Sequence, residues 1–166
     1  MALSKEAFKE DPILHIRDYM LLKKQTIAVA ESVTSGLLQT ALALAPDASK
    51  FYEGGITAYN LGQKYKHLCV EPIHAEGCDC VSEKVAVEMA QNVCTLFCSD
   101  WGIGITGYAV PVPESGQKLF AFFAIVFQKK IVLKKRVTGK EDESLNVQLS
   151  YVNSVLTNLH AYLKKK

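Results

Sequence analysis

The chain has 166 residues, 49% hydrophobic and 22% charged, with a formal net charge of +2. That length suits one domain with a real core, expected to span residues 1–166 with frayed ends at 1–10 and 164–166. So small a charge argues against nucleic acid as a main partner. No apolar run nears a membrane span and no signal-peptide core opens the chain, so a cytoplasmic protein is expected.

Asp11-Pro12 is a good helix start, and Ile13, Ile16 and Met20 on one face predict a helix over 12–23. Thr26 to Ala30 is apolar and partly β-branched, and reads as a short strand buried on both faces. Ser32, Thr34, Ser35 and Gly36 follow, ahead of good helix formers over 37–44. A strand ending in hydroxyls and a glycine before a helix leaves backbone N–H groups unpaired. Two readings are open. Ser32 or Thr34 caps the helix, or the free N–H groups and the helix dipole serve an anion or a developing oxyanion.

Ala45-Pro46-Asp47 stops that helix, and 49–53 is a connection or one helical turn. Gly54-Gly55-Ile56-Thr57-Ala58-Tyr59-Asn60 suggests a second strand, whose glycines let another group approach the backbone closely. A short helix over 61–68 follows, which puts Tyr59 and Lys64 at another strand-to-helix junction. Residues 71–81 look like a loop, in which His74 has no evident partner. Ser82 is a plausible N-cap for a helix whose apolar face is Ala86, Met89, Ala90, Val93 and Phe97, ending near Cys98.

Residues 101–106 read as a third buried strand, and 107–116 as a proline- and glycine-punctuated loop long enough to line a site. Gly102, Gly104 and Gly107 spell a dinucleotide fingerprint. They fall inside a strand, however, and Pro111 and Pro113 stand where the helix should start, so no dinucleotide site is expected. Two β-rich runs over 119–128 and 131–137, separated by Lys129-Lys130, predict a hairpin. A last helix over 141–163 carries a stripe of Leu145, Leu149, Val152, Leu156, Leu159 and Leu163. It packs on the sheet or forms a coiled-coil seam for a partner. The five cysteines suggest free thiols. Cys78 and Cys80 are spaced too tightly for a usual zinc pair, and Cys94 and Cys98 lie one helical turn apart in a core stripe. Structural filler, with no metal, is the expectation for both pairs.

Helices alternating with strands, then a hairpin and a long C-terminal helix, predict a three-layer α/β/α sandwich with a mixed, mostly parallel sheet. Functional groups should gather at the strand C-terminal ends. Ser32, Tyr59 and Lys64 each follow a strand. A serine is a poor nucleophile until a base takes its proton, a desolvated lysine can be that base, and a tyrosine can relay or hold the proton. The bland alternative is an exposed lysine on a short helix beside a half-buried tyrosine.

The segments Ala30-Glu31-Ser32-x-Thr34-x-Gly36, Gly54 to Asn60 with Lys64, Val81-Ser82-Glu83-x-Val85-Ala86-x-x-Met89-Ala90 and Ile105-Thr106-Gly107-x-Ala109-x-Pro111 resemble the C-terminal domain family of CinA, the competence/damage-inducible protein. The four motifs occur in the same order and the resemblance covers residues 7–163. It implies an amidohydrolase acting on nicotinamide mononucleotide or a related small amide, releasing acid and ammonia without a metal or organic cofactor. By that resemblance Ser32 is the nucleophile, Lys64 its base and Tyr59 a relay or orienting group. Glu31, Thr34, Ser35, Gly36, Gly54, Gly55, Thr57, Thr106 and Gly107 are the implied substrate-binding set. Self-association into a homo-oligomer is implied as well.

This sequence departs from the family pattern at Val33 and Ser35, where the family has cysteine and glycine, and at Val110, where it has glycine. Ser35 is expected to place a side chain where a ligand approaches, and Val110 to remove positive-φ freedom. The family's arginines before the last helix are missing from 139–148, where Lys140 is the only cation. An arginine grips phosphate bidentately, which lysine cannot reproduce. Two further readings therefore stand beside the enzyme: a catalytically silent small-molecule-binding module, and an interaction protein using its last helix.

Overall fold

The computed structural model describes residues 7–166; the expected frayed start lies outside the described residues over 1–6, and within 7–10 Phe8 is buried and Lys9 N–H donates to the Asn153 side chain. The first helix, α1, is Glu10–Lys23 and begins two residues before Pro12. The expected Asp11 cap is therefore a first-turn residue, with Lys9 at the N-cap. A proline is tolerated there because the first four helical N–H groups have no intrahelical acceptor.

The chain continues through β1 (Ile27–Glu31), α2 (Leu37–Ala43), a 3-10 turn at Ala48–Lys50 and β2 (Tyr52–Thr57). Next come α3 (Leu61–Leu68), α4 (Pro72–Gly77), α5 (Glu83–Phe97) and β3 (Trp101–Tyr108). After a 3-10 turn at Pro113–Ser115 come β4 (Phe120–Phe127), β5 (Lys130–Thr138) and α6 (Ser144–Leu163). The five strands run in the order β2-β1-β3-β4-β5. The first three are mutually parallel, and β4 and β5 join antiparallel. The architecture is the expected three-layer mixed α/β sandwich.

Alternation along the strands sorts the two faces. Ile27, Val29, Ile103, Ile105, Phe123 and Ile125 point to the core shared with α1, α2 and α6. Ala28, Ala30, Ala124 and Val126 meet the α5 side. That side is built of small residues because α5 lies almost on the sheet. A Cβ at Gly102 would collide with the Ala90 carbonyl, and one at Gly104 with the Ala86 carbonyl. The glycines that spell a nucleotide motif are thus packing residues.

Several expectations need correction. Residues 71–81 contain α4, capped by the Glu71 carboxylate, which accepts from the Ile73 and His74 N–H groups, with Pro72 at its start. His74 does have a partner, Nε2 lying 2.9 Å from the Ser82 hydroxyl. The hairpin turn is Gln128-Lys129, both left-handed, and Lys130 already belongs to β5. α6 starts at Ser144 because the Asp142 carboxylate first accepts from Glu143 N–H and the Asn146 amide. Its stripe is not a free seam, for Leu149, Val152, Leu156, Leu159 and Leu163 are buried within the chain. All five cysteines are free thiols; Cys94 is buried, but Cys98 is the exposed, left-handed C-cap of α5, not a core residue.

Candidate active site

Of the three parallel strands, β1 and β2 end level with one another, and β3 runs on beside them to Tyr108. Glu31 of β1 stands opposite Thr57 of β2 and Ile105 of β3. The next residues, Ser32, Ala58 and Thr106, therefore emerge at one sheet edge. Backbone bonds seal the junction: Ala58 N–H donates to Glu31 O at 2.9 Å and Ser32 N–H to Ile105 O at 3.1 Å.

Glu31 governs the turn that follows. It is fully buried, and its carboxylate accepts from the Thr34 hydroxyl, Gly36 N–H (3.2 Å), Leu38 N–H (3.0 Å) and Gln39 N–H (2.8 Å). The capping reading falls, since α2 is capped by this carboxylate rather than by Ser32 or Thr34. The same bonds occupy N–H groups that an anion at the α2 N-terminus would need. The N–H groups of Val33 and Thr34, directly after Ser32, make no hydrogen bond among the described residues.

Lys64 projects from α3 to the same edge. Asn60 starts α3 by accepting from Gln63 N–H, which fixes where the lysine emerges. Its side chain is buried, 1% exposed, and Nζ lies 2.8 Å from Ser32 Oγ. Nζ also donates to the carbonyls of Ala58 (2.9 Å) and Tyr59 (3.2 Å). Burial pushes the Lys64 amine below its ordinary value, while Cys80 and Asp79 pull the other way. A neutral amine has two N–H donors and one lone pair. With both carbonyls served, the lone pair is left to accept the Ser32 hydroxyl proton. Lys64 is therefore not the exposed lysine of the bland reading.

Ser32 and Lys64 open onto a cleft of about 650 Å³, within the usual range for small-molecule sites. Tyr59, Thr106 and Gly107 also line it. The Tyr59 side chain is 71% exposed, and it is its backbone carbonyl, not its phenol, that touches Lys64. Thr106 is buried and donates to Cys80 O at 2.8 Å, tying β3 to the turn between α4 and α5.

The other implied binding residues stand outside the cleft lining. Glu31 and Thr34 are buried behind Ser32 in the capping network. Gly55 is closely approached, but by Val29 and Gln39, and Gly54 by Phe97. Thr57 accepts from the Gln39 amide at 3.2 Å. Ser35 is exposed and left-handed, with φ 50°, and half-buried Gly36 is left-handed too, at φ 98°. Ser35 does not enter the cleft, so it does not block a ligand as expected. Val110 lines the cleft and has no positive φ, so its missing glycine freedom is not required here.

Other parts of the site carried no sequence signal. Gln148 of α6 reaches the cleft and donates to Val33 O at 2.9 Å, bracing the turn beyond Ser32. Tyr108 donates to Asp79 at 2.9 Å, and burial followed by that bond raises the phenol above its usual range. Glu76, Asp79 and Glu114 add carboxylates around the mouth, all exposed. Lys140 lines a different cleft, of about 300 Å³, and Arg136 lies over Phe120, 4.2 Å from the ring centroid.

Comparison with known proteins gives consistent results. The CinA C-terminal domain model matches residues 11–163. A CinA-like protein of Picosynechococcus sp. is 37% identical over 114 residues, covering 69% of this chain and 27% of that relative. A putative competence-damage inducible protein of Moorella thermoacetica is 34% identical over 125 residues, covering 74% and 30%. The chain thus spans under a third of the length of these curated relatives. A competence-damaged protein (CinA) superfamily structure from Escherichia coli superposes with TM-score 0.85 at 28% identity, covering 96% of this chain and 92% of that one. One from Klebsiella pneumoniae gives TM-score 0.87 at 25% identity, covering 94% and 98%.

Proposed function

This chain belongs to the CinA C-terminal domain family, and we propose that it hydrolyses a small carboxamide, of the nicotinamide mononucleotide type, to acid and ammonia. The observation that carries the reading is the buried Ser32–Lys64 pair, with Nζ 2.8 Å from Oγ and its other donors taken by two carbonyls.

In this mechanism the Lys64 amine takes the Ser32 proton as Oγ attacks the amide carbon. The C–O bond forms and the carbonyl π pair moves to oxygen. Val33 and Thr34 N–H, which make no hydrogen bond among the described residues, are the candidate donors to that oxyanion. The Lys64 ammonium then returns its proton to the departing nitrogen, which leaves as ammonia. Water, deprotonated by Lys64, attacks the acyl-Ser32 ester; the C–Oγ bond breaks, the acid leaves, and the Lys64 ammonium returns its proton to Ser32 Oγ. Tyr59, at the cleft wall, contacts substrate rather than relaying the proton, because only its carbonyl meets Nζ. No cofactor takes part in these steps.

The test is ammonia release from nicotinamide mononucleotide, with Ser32→Ala as control. Serine-dependent release is expected; release that survives Ser32→Ala excludes this mechanism. The silent binding module is the second reading, favoured by one observation. Among the described residues, Lys64 is the only Lys or Arg lining the cleft.

A further inference from the structure

The peptide between Val33 and Thr34 carries one of the two N–H groups assigned to the oxyanion. It is trans, so its C=O and N–H point in opposite directions, and whatever holds the carbonyl also aims the N–H. Other bonds fix the turn on either side of this peptide. Ser35 N–H donates to Ser32 O at 3.2 Å and Leu37 N–H to Thr34 O at 3.0 Å. Glu31 takes the Thr34 hydroxyl and the N–H groups of Gly36, Leu38 and Gln39. Among the described residues, Val33 O has one hydrogen-bond donor, the Gln148 side-chain amide at 2.9 Å.

That donor sits on a fixed support. Val147 and Leu149, on either side of Gln148, are buried and seat this turn of α6 in the core. Tyr151 donates to Tyr108 O at 2.9 Å, which ties the next turn of α6 to the end of β3. Gln148 itself is half-buried and lines the cleft beside Ser32.

We propose that Gln148 is a positioning residue: by holding the Val33 carbonyl it aims the Thr34 N–H at the oxyanion that forms on the substrate. This role rests on the hydrolase reading for its reaction and on the Gln148–Val33 bond for its geometry. The oxyanion exists only in the tetrahedral intermediate and the transition states around it. Loss of the donor should therefore lower kcat and leave KM near its wild-type value. Removing an oxyanion donor outright costs about 10²–10³ in kcat, so misaiming one of two should cost about tenfold or more.

The test uses three variants of the whole protein. Gln148→Met keeps the length without a donor, Gln148→Glu offers only acceptors at neutral pH, and Gln148→Lys keeps an N–H donor. In ammonia release from nicotinamide mononucleotide, the first two should lose about tenfold or more in kcat, with KM within about threefold. The lysine variant should recover most of the wild-type kcat. A merely structural brace would move kcat in step with stability, read by urea denaturation of each variant, whether or not a donor is present. An unchanged kcat in Gln148→Met, or a lysine variant as slow as the methionine one, overturns the positioning role and leaves the hydrolase reading intact.

Pyridine-3-boronic acid gives a readout without turnover, since its boron takes Ser32 Oγ to form a tetrahedral anion. Its affinity, by calorimetry, should fall about tenfold or more in Gln148→Met and recover in Gln148→Lys. If wild type releases no ammonia, the hydrolase reading fails and the boronate decides. That pattern of affinities supports the positioning role, whereas equal affinity in wild type and both variants, or no binding, overturns it.

Discussion

Replacing Glu31→Gln probes the device that shapes the turn around Ser32. The carboxylate accepts four hydrogen bonds while fully buried, three from backbone N–H groups of the turn and α2. An amide keeps one acceptor oxygen, and facing it toward Thr34, Gly36 and Leu38 preserves the busier side. Its NH2 then opposes Gln39 N–H, so one buried donor loses its partner and two donors face each other. Leaving a buried donor unpaired costs about 1–3 kcal/mol. Losing the anion at the helix N-terminus adds roughly 0.3–1 kcal/mol. With only seven residues, α2 cannot hold itself. The expected loss is about 2–4 kcal/mol, read by urea or thermal denaturation. At about 2–4 °C per kcal/mol for a domain of this size, Tm should fall by roughly 4–16 °C. Ammonia release should fall with it, since Ser32 and its neighbouring N–H groups shift. A loss below 1 kcal/mol with unchanged activity would refute the account of Glu31 as the organiser of the turn.

The remaining predictions concern packing and protonation. Gly104→Ala should cost about 3 kcal/mol or more in chemical denaturation, because its Cβ meets backbone of α5 that cannot give way. Gly77→Ala, with open space and no positive φ, should stay within about 0.5 kcal/mol; equal effects at the two sites would contradict the close α5–β3 packing. The stacked His15–His160 pair has both Nδ1 atoms buried without a hydrogen-bond partner among the described residues. Burial, then Lys164 and His15, lower the His160 imidazole below 6.5, against an opposing pull from Asp11. The unfolded chain then binds more protons, so this stability is full above pH 6.5 and lost as pH falls through the lower folded value. His160→Asn should flatten stability between pH 7.5 and 5; an unchanged slope would count against that origin.

Much of the fold was legible because its signals are local. Ser82 capping α5, the apolar face of that helix and the β-branched core of β1 each specify their element within a few residues. The missed helix α4 was also written in Glu71-Pro72, a capping acid followed by proline, but its six residues are too short to show a periodicity. At the site, strand ends that share an edge brought Ser32 and Lys64 together, as topology alone suggested. The role of Glu31 was hidden because its partners are backbone N–H groups of the next eight residues, which no residue type advertises. Gln148 contributes from 115 residues away, a contact that only packing of α6 creates. Glycines at 54 and 55 were legible as close-approach positions, but not which group approaches.

The pH dependence of kcat/KM for ammonia release, in wild type and Lys64→Arg, tests the central claim most directly. A neutral Lys64 acting as base gives a rising limb with an apparent pKa below 10.5 in wild type. The permanently charged guanidinium should cost about 10²–10⁴-fold in rate and abolish that limb. A limb that persists in Lys64→Arg at near wild-type rate would contradict the Ser32–Lys64 mechanism.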